Sequence, residues 1–321
     1  MAIKIPSFLL TRKAAYLAAG AAGLGAGFFF YSRLVEPKRY RLETVRVITG
    51  DGNSWRMRDG NGQRKRLEDK VGRRVYRVLH LSDLHLKHPE SHKIDFLKRI
   101  TDSEYDLVVL TGDVFEDYSG LAYASFLLSR PPKIGAYAVL GNHDYYDYSM
   151  LNKIVGRLMR RMRHPRKKRD VEPMVSALNE AGFKVLRNEA ISVPEHGLHI
   201  VGIDYPGISQ AKLSELVERA RRDQLVLALF HWPRNLDFMN RAGVHLAFGG
   251  HTHGGQIRIP GMGALITDSE LPRHEASGLI RRGNTAIHIS RGLGADPRTN
   301  FRFFCPPAAT VVEVHHQTVL S

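Results

Sequence analysis

The sequence predicts a layered α/β domain carried behind an N-terminal membrane helix. Three observations predict it. From residue 75 onward, short apolar runs alternate with amphipathic segments, the pattern of buried strands and the helices that cover them. Asp, His and Asn residues stand directly after five of those runs, where α/β sheets open a ligand crevice. Ahead of all this, residues 14–31 carry no charge.

That uncharged stretch, "AAYLAAGAAGLGAGFFFY", is just long enough to span a bilayer as a helix. Glycine is tolerated in such helices, and Phe28, Phe29, Phe30 and Tyr31 suit a membrane–water boundary. No small-x-small site follows the run, so an uncleaved anchor over residues 1–34 is expected rather than a cleaved signal. Lys4, Arg12 and Lys13 precede it; Arg33, Lys38, Arg39, Arg41 and Arg46 follow. The positive-inside rule then favours a single N-terminal span with the main domain on the cytoplasmic face, export being the alternative. The next segment, 35–73, contains the alternating "YRLETVRVI" (40–48) and turn signals at Asp51-Gly52 and Asp59-Gly60. It reads as a strand and hairpin extension packed on a main domain of residues 74–321.

Within that domain the apolar runs are "VYRVLHL" (75–81), "DLVVL" (106–110), "IGAYAVL" (134–140), "HIVGI" (199–203), "QLVLALF" (224–230), "VHLAFGG" (244–250) and "TAIHIS" (285–290). Helical spacing marks 93–103 and 210–222 between them. A basic amphipathic insertion occupies 149–170, with Leu151, Ile154, Val155, Leu158, Met159 and Met162 on one stripe and Lys153, Arg157, Arg160, Arg161 and Arg163 mostly off it. Such a helix either covers the core or lies against an anionic membrane surface or a lipid headgroup.

Composition narrows the chemistry. Lys and Arg number 47 against 32 Asp and Glu, a net charge of +15 that favours anionic partners. The single Cys305 rules out an intramolecular disulfide and a cysteine-rich zinc site. Sixteen histidines leave room for an imidazole-rich metal site. Asp83 and His85 follow the first run, Asp113 the second, Asn142, His143 and Asp144 the third. His231 follows the run ending at 230, and His251 and His253 follow the run ending at 250. A lone Asp after a strand is usually a helix cap, and a lone His within a run is a packed core residue. His80, His199, His245 and His288 are read in that second way. Jointly, however, the His/Asp/Asn set suits borderline divalent ions such as Mn, Fe or Zn. Glycines around 249–255 allow a tight turn, and the His-x-His spacing puts both rings on one side.

These blocks, "SDLH", "GD", "GNHD", "HWP" and "GGHTH", resemble those of the calcineurin-like metallophosphoesterases, present in order over about residues 75–315. The resemblance implies a layered β-sandwich flanked by helices and two divalent cations, Mn²⁺ foremost. It implies that Asp83, His85 and His253 hold one ion, that Asn142, His231 and His251 hold the other, and that Asp113 bridges them. His143 matches the family's catalytic histidine, with Asp144 positioned to orient it. The two ions would lower the pKa of a water and neutralise phosphoryl charge, while His143 stabilises or protonates the leaving oxygen. Arg291 in "SRGLG", together with Arg157, Arg160 and Arg161, is a candidate phosphate contact.

The substrate expected is a phosphorylated lipid or nucleotide–lipid. The membrane-associated bacterial branch of the family suggests the pyrophosphate of UDP-2,3-diacylglucosamine, with envelope phospholipids as the alternative. A nuclease is disfavoured because no nucleic-acid module is present. A non-catalytic scaffold is disfavoured because no ligand position is missing. Oligomeric state is open.

Overall fold

In the computed structural model, residues 7–50, 73–147, 167–295 and 300–317 are described. The hairpin signals at 51–60 and most of the basic insertion, with Arg157, Arg160 and Arg161, lie outside the described residues.

Two six-stranded sheets make up the frame. The first contains β1 (Arg41–Gly50), β2 (Arg73–Leu81), β3 (Leu107–Thr111), β4 (Gly135–Val139), β7 (Phe183–Val185) and β16 (Ala308–Gln317) in the order β1-β16-β2-β3-β4-β7. Short strands β5 (Tyr146–Asp147) and β6 (Lys167–Lys168) pair at the two ends of the insertion. The second sheet contains β8 (Glu189–Val193), β9 (Leu198–Gly202), β10 (Leu225–Leu229), β11 (Leu246–Gly249), β14 (Gly278–Arg282) and β15 (Thr285–Ile289), in the order β14-β15-β11-β10-β9-β8. Between β11 and β14, β12 (Arg258–Ile259) and β13 (Gly263–Ala264) form a small hairpin. Both sheets are mixed. Strands β2, β3, β4 and β7 run parallel, as do β9, β10, β11 and β15, while β16–β2, β8–β9 and β14–β15 are antiparallel pairs.

Alternation along the strands explains why two sheets face each other. Tyr76, Val78, Leu107, Val109, Leu225, Leu227, Leu229, Leu246 and Phe248 share one buried cluster between the sheets. The intervening Leu79, Leu81, Val108 and Leu110 face outward under helices α2 (His92–Thr101) and α4 (Glu172–Glu180), which flank the short α3 (Asn142–Tyr145) in the chain. Val226, Ala228 and Ala247 face outward under α5 (Gln210–Glu218) and α6 (Asp237–Ala242). Each fully buried Leu or Val contributes about 1.5–3 kcal/mol relative to exposure, so strands apolar on both faces are stable only with both faces covered. The fold is therefore the helix-flanked layered sandwich that the resemblance implies.

Of the segment 35–73, residues 35–50 and 73 are described, and a strand lies where the alternation at 40–48 predicts one. Its strand β1 pairs in parallel with the C-terminal strand β16, which inserts between β1 and β2.

The N-terminal expectation is corrected. Residues Ser7–Phe30 form helix α1, but no helix of the described residues is long and apolar enough to cross a membrane. The reason lies in the composition: Gly20, Gly23, Gly25, Gly27 and the alanines offer little apolar area, and Arg12 and Lys13 fall inside the helix. The aromatic end has another use. Phe28 packs edge-on against Phe303, and Phe29 against Phe301. Just beyond, buried Glu36 accepts the Cys305 N–H. The expected single membrane span, and the cytoplasmic placement built on it, are not supported.

Candidate metal centre

Parallel strands end together, so the loops after β2, β3 and β4 meet those after β10 and β11 at one rim of the sandwich. The structure brings all seven expected ligands together there. Ligand atoms of Asp83, His85, Asp113 and His253 lie within 4.8 Å of one another, and so do those of Asp113, His231 and His251. Asn142 Oδ1 joins the second group, 3.1 Å from His231 Nε2 and 2.9 Å from His251 Nδ1. Asp113 belongs to both groups, with Oδ2 3.8 Å from His85 Nε2 and 3.3 Å from His231 Nε2.

The backbone is bent to achieve this. Asp83, His85, Asp113, His251 and His253 all have positive φ, between 45° and 74°. Left-handed backbone costs a non-glycine residue about 1–3 kcal/mol and persists only where the surroundings enforce it. Gly250 is required between them, because a Cβ there would overlap Ser82 Oγ and Asp83 Oδ2. Gly141 is required in the same way against Asp113.

Each imidazole has its outward nitrogen committed to an acceptor. His85 Nδ1 faces Glu116 Oε2 at 2.9 Å, His231 Nδ1 faces the Thr111 carbonyl at 2.8 Å, His253 Nδ1 faces the Gly294 carbonyl at 3.2 Å, and His251 Nε2 faces the Asp268 carbonyl at 3.3 Å. The inward nitrogens then converge: His85 Nε2 lies 3.3 Å from His253 Nε2, and His251 Nδ1 lies 3.3 Å from His231 Nε2. Once neutral, four rings so placed would aim four lone pairs at two buried carboxylates and an amide oxygen. Cations relieve that arrangement, and the outward hydrogen bonds fix the tautomers that ligation needs. The donor set therefore fits two divalent ions.

The electrostatics agree. Burial opposes charge on Asp113, yet the imidazoles of His231, His143 and His85 hold its carboxyl well below the usual range. At Asp83, burial, with the charge of Asp113 adding to it, raises the carboxyl. Burial disfavours protonation of His231, but Asp113 and Asp83 overcome it and push the ring up to about 9. Burial likewise opposes the raised His85, which Glu116 and Asp113 hold up. His251 goes the other way, down to about 4, through burial and the neighbouring His231 charge.

His143 sits at the rim with its Nδ1 3.4 Å from Glu116 Oε2, its N–H donating to Asp113 Oδ1 at 2.8 Å and its carbonyl accepting from Arg169 Nη1 at 2.8 Å. The carboxylate facing its ring is thus Glu116, which the sequence reading passed over. The signal was available as the acidic residue three positions after Asp113 in "GDVFE". Burial works against the Glu116 charge, but hydrogen bonds from His143 and His85 hold it down at about 2. Asp144 does a different job: its carboxylate accepts the N–H groups of Gly141, Asp113, Val114 and Phe115, tying the turn after β3 to the turn after β4. Burial and the Asp113 charge push it up to about 6. Arg291 turns to Glu43 on β1 and forms an ion pair with it.

Fold and site together define a metal-dependent phosphoester hydrolase. The pattern of the calcineurin-like phosphoesterase family matches residues 76–255, and the chain belongs to that family. Among curated relatives, metallophosphoesterase YkoQ of Bacillus subtilis is 26% identical over 293 residues, covering 89% of this chain and 94% of its own. Phosphodiesterase YaeI of Escherichia coli is 29% identical over 246 residues, covering 74% of this chain and 82% of its own. The UDP-2,3-diacylglucosamine pyrophosphatase LpxG of Chlamydia muridarum is 25% identical over 274 residues, with coverage of 74% and 82%.

Proposed function

We propose that the chain hydrolyses the phosphate linkage of a phosphorylated lipid or nucleotide–lipid, with the pyrophosphate of UDP-2,3-diacylglucosamine as the leading substrate. Two LpxG relatives bearing that activity in their names support the substrate. The name of YaeI supports the second reading, a phosphodiester of an envelope phospholipid. The observation that carries the chemistry is the convergence of four imidazole nitrogens on two carboxylates.

In this reading Asp83, His85 and His253 would hold one cation, Asn142, His231 and His251 would hold the other, and Asp113 would contribute to both. The mixed oxygen and nitrogen donors suit Mn²⁺, with Fe and Zn as the other candidates. When bound, the pair supplies Lewis acidity toward phosphoryl oxygens and lowers the pKa of water. The chain's own groups do the rest. His143, its Nδ1 turned to Glu116, delivers a proton from Nε2 to the leaving oxygen. Asp144 keeps the turns carrying Asp113 and His143 in register. Arg169 fixes the His143 carbonyl and Asp113 its N–H, so the backbone that carries the ring is held from both sides.

The test uses the full chain stripped of metal, then resupplied with Mn²⁺ and offered bis-p-nitrophenyl phosphate, UDP-2,3-diacylglucosamine and phosphatidyl lipids. Release of UMP only in the resupplied sample is the expected result. Turnover of the soluble diester with none of either lipid class sinks the lipid assignment. Turnover that survives stripping sinks the two-metal reading.

A further inference from the structure

Two histidines assigned to the core by sequence do more than fill it. His80 on β2 and His288 on β15 meet across the sandwich interior, both shielded from solvent, with their Nδ1 atoms 2.8 Å apart. His80 Nε2 lies 2.8 Å from Thr111 Oγ1, Thr111 Oγ1 lies 2.8 Å from Ser82 Oγ, and Ser82 Oγ lies 2.6 Å from Asp83 Oδ2. Five buried side chains thus make an unbroken hydrogen-bonded line from the second sheet, through the first, to a candidate metal ligand.

The direction of this line is set by its end. Asp83 Oδ2 already accepts the His251 N–H, and at 2.6 Å it lies nearer to Ser82 Oγ than the Thr111 carbonyl does at 3.0 Å, so the Ser82 proton goes to Asp83. Ser82 oxygen therefore accepts from Thr111, and Thr111, its proton committed, accepts from His80 Nε2–H. An imidazole protonated at Nε2 carries its lone pair at Nδ1, so His80 accepts from His288 Nδ1–H. Burial holds His80 well below its ordinary value and His288 down at about 4, which keeps both rings neutral at pH 7, as the line requires.

We propose that His288 and His80 are positioning residues for the metal centre, locking Asp83 through Thr111 and Ser82. The line holds Oδ2, while Oδ1 faces His253 Nε2 at 3.7 Å. Thr111 acts on the other group of ligands as well, because its carbonyl fixes His231 Nδ1. Apolar residues would fill this interior without any need for matched donors and acceptors, so packing alone does not account for four polar side chains in register. The inference rests on the two-metal reading, since only a ligand makes the orientation of Asp83 matter.

The experiment has two arms on the full chain. In metal-free protein with ¹⁵N-labelled histidine, NMR should find His80 protonated at Nε2 and His288 at Nδ1. Either opposite tautomer overturns the line, and this arm is independent of any metal. In the second arm, Mn²⁺ is titrated into wild type, Thr111→Val, Thr111→Ser and His288→Leu, with folding checked by near-ultraviolet circular dichroism. Thr111→Val and His288→Leu should weaken Mn²⁺ by about ten- to a hundredfold, and Thr111→Ser should bind like wild type. Wild-type affinity in both weakened variants would make the line a packing feature and overturn the proposal. Wild-type protein that takes up no Mn²⁺ would sink the two-metal reading instead, leaving the tautomers to decide the line.

Discussion

Two sets of histidines occupy this molecule, and they share little beyond their residue type. His85, His231, His251 and His253 stand just past strand ends, three of them at positive φ. His80, His199 and His288 stand within strands, and His245 immediately precedes one. Burial does not separate the sets, since His80, His85, His199, His231, His253 and His288 are all buried. Neighbours do. At the rim, Asp113, Asp83 and Glu116 overcome burial and raise His231 and His85, and the charge on His231 in turn helps burial lower His251. In the interior, burial is the leading influence, and His80, His199 and His288 are all lowered. The lesson is that position relative to the strand terminus, which decides whether carboxylates can converge, separates a ligand from a core imidazole.

The comparison breaks most visibly at Asp113, whose carboxylate all the rim histidines share. Asp113→Asn should abolish Mn²⁺-dependent turnover and empty both halves of the centre, read by elemental analysis beside the rate. A variant that keeps two equivalents of metal would show that Asp113 does not lie between them. His143→Ala should cut turnover by about a hundredfold or more while leaving metal content near that of wild type. Loss of metal there would move His143 from proton donor to ligand.

Much of this rim was legible in sequence because strand-end motifs are local. "SDLH", "GNHD" and "GGHTH" each place their polar residues within a few positions of an apolar run, so one dimension suffices to propose them. What escaped depends on distant pairings. The C-terminal strand β16 lies between β1 and β2, joining residues more than 200 positions apart, and no periodicity announces that. The Arg291–Glu43 pair follows from this same arrangement. The His80–His288 contact joins the two sheets, and each residue alone reads as an ordinary core histidine. Asp144 escaped differently: its motif was read, but four backbone donors to one carboxylate form only once two turns are packed.

Acidity should sharpen the contrast by a smaller amount. His231, at about 9 without metal, carries a proton at pH 7 that a cation must displace. Raised His85 adds to the same cost. Apparent Mn²⁺ affinity should therefore climb between pH 6.5 and pH 8.5, by up to about tenfold per pH unit for each proton released. Calorimetric titration in buffers of different ionisation enthalpy would count those protons. A flat profile would mean that His231 and His85 are already neutral and that the carboxylates do not raise them.

The smallest effect is expected at His199, and it tests the comparison from the interior side. Its Nε2 donates to the Leu216 carbonyl at 2.9 Å, while its Nδ1 is buried with no partner. His199→Leu removes that unsatisfied nitrogen and adds apolar contact, but strands the Leu216 carbonyl. The opposing terms are each about 1–2 kcal/mol, so the melting temperature at pH 7.5 should move by only a few degrees. The pH dependence is more telling. Burial lowers the folded-state pKa of His199, so the unfolded chain binds more protons as pH falls below about 6.5, and the wild type loses stability there. The leucine variant lacks that loss and should gain on the wild type between pH 7.5 and pH 5. Its Mn²⁺ affinity should not change at any pH. A drop in that affinity would show that an interior histidine outside the line to Asp83 still governs the rim, and the division between the two sets would fail.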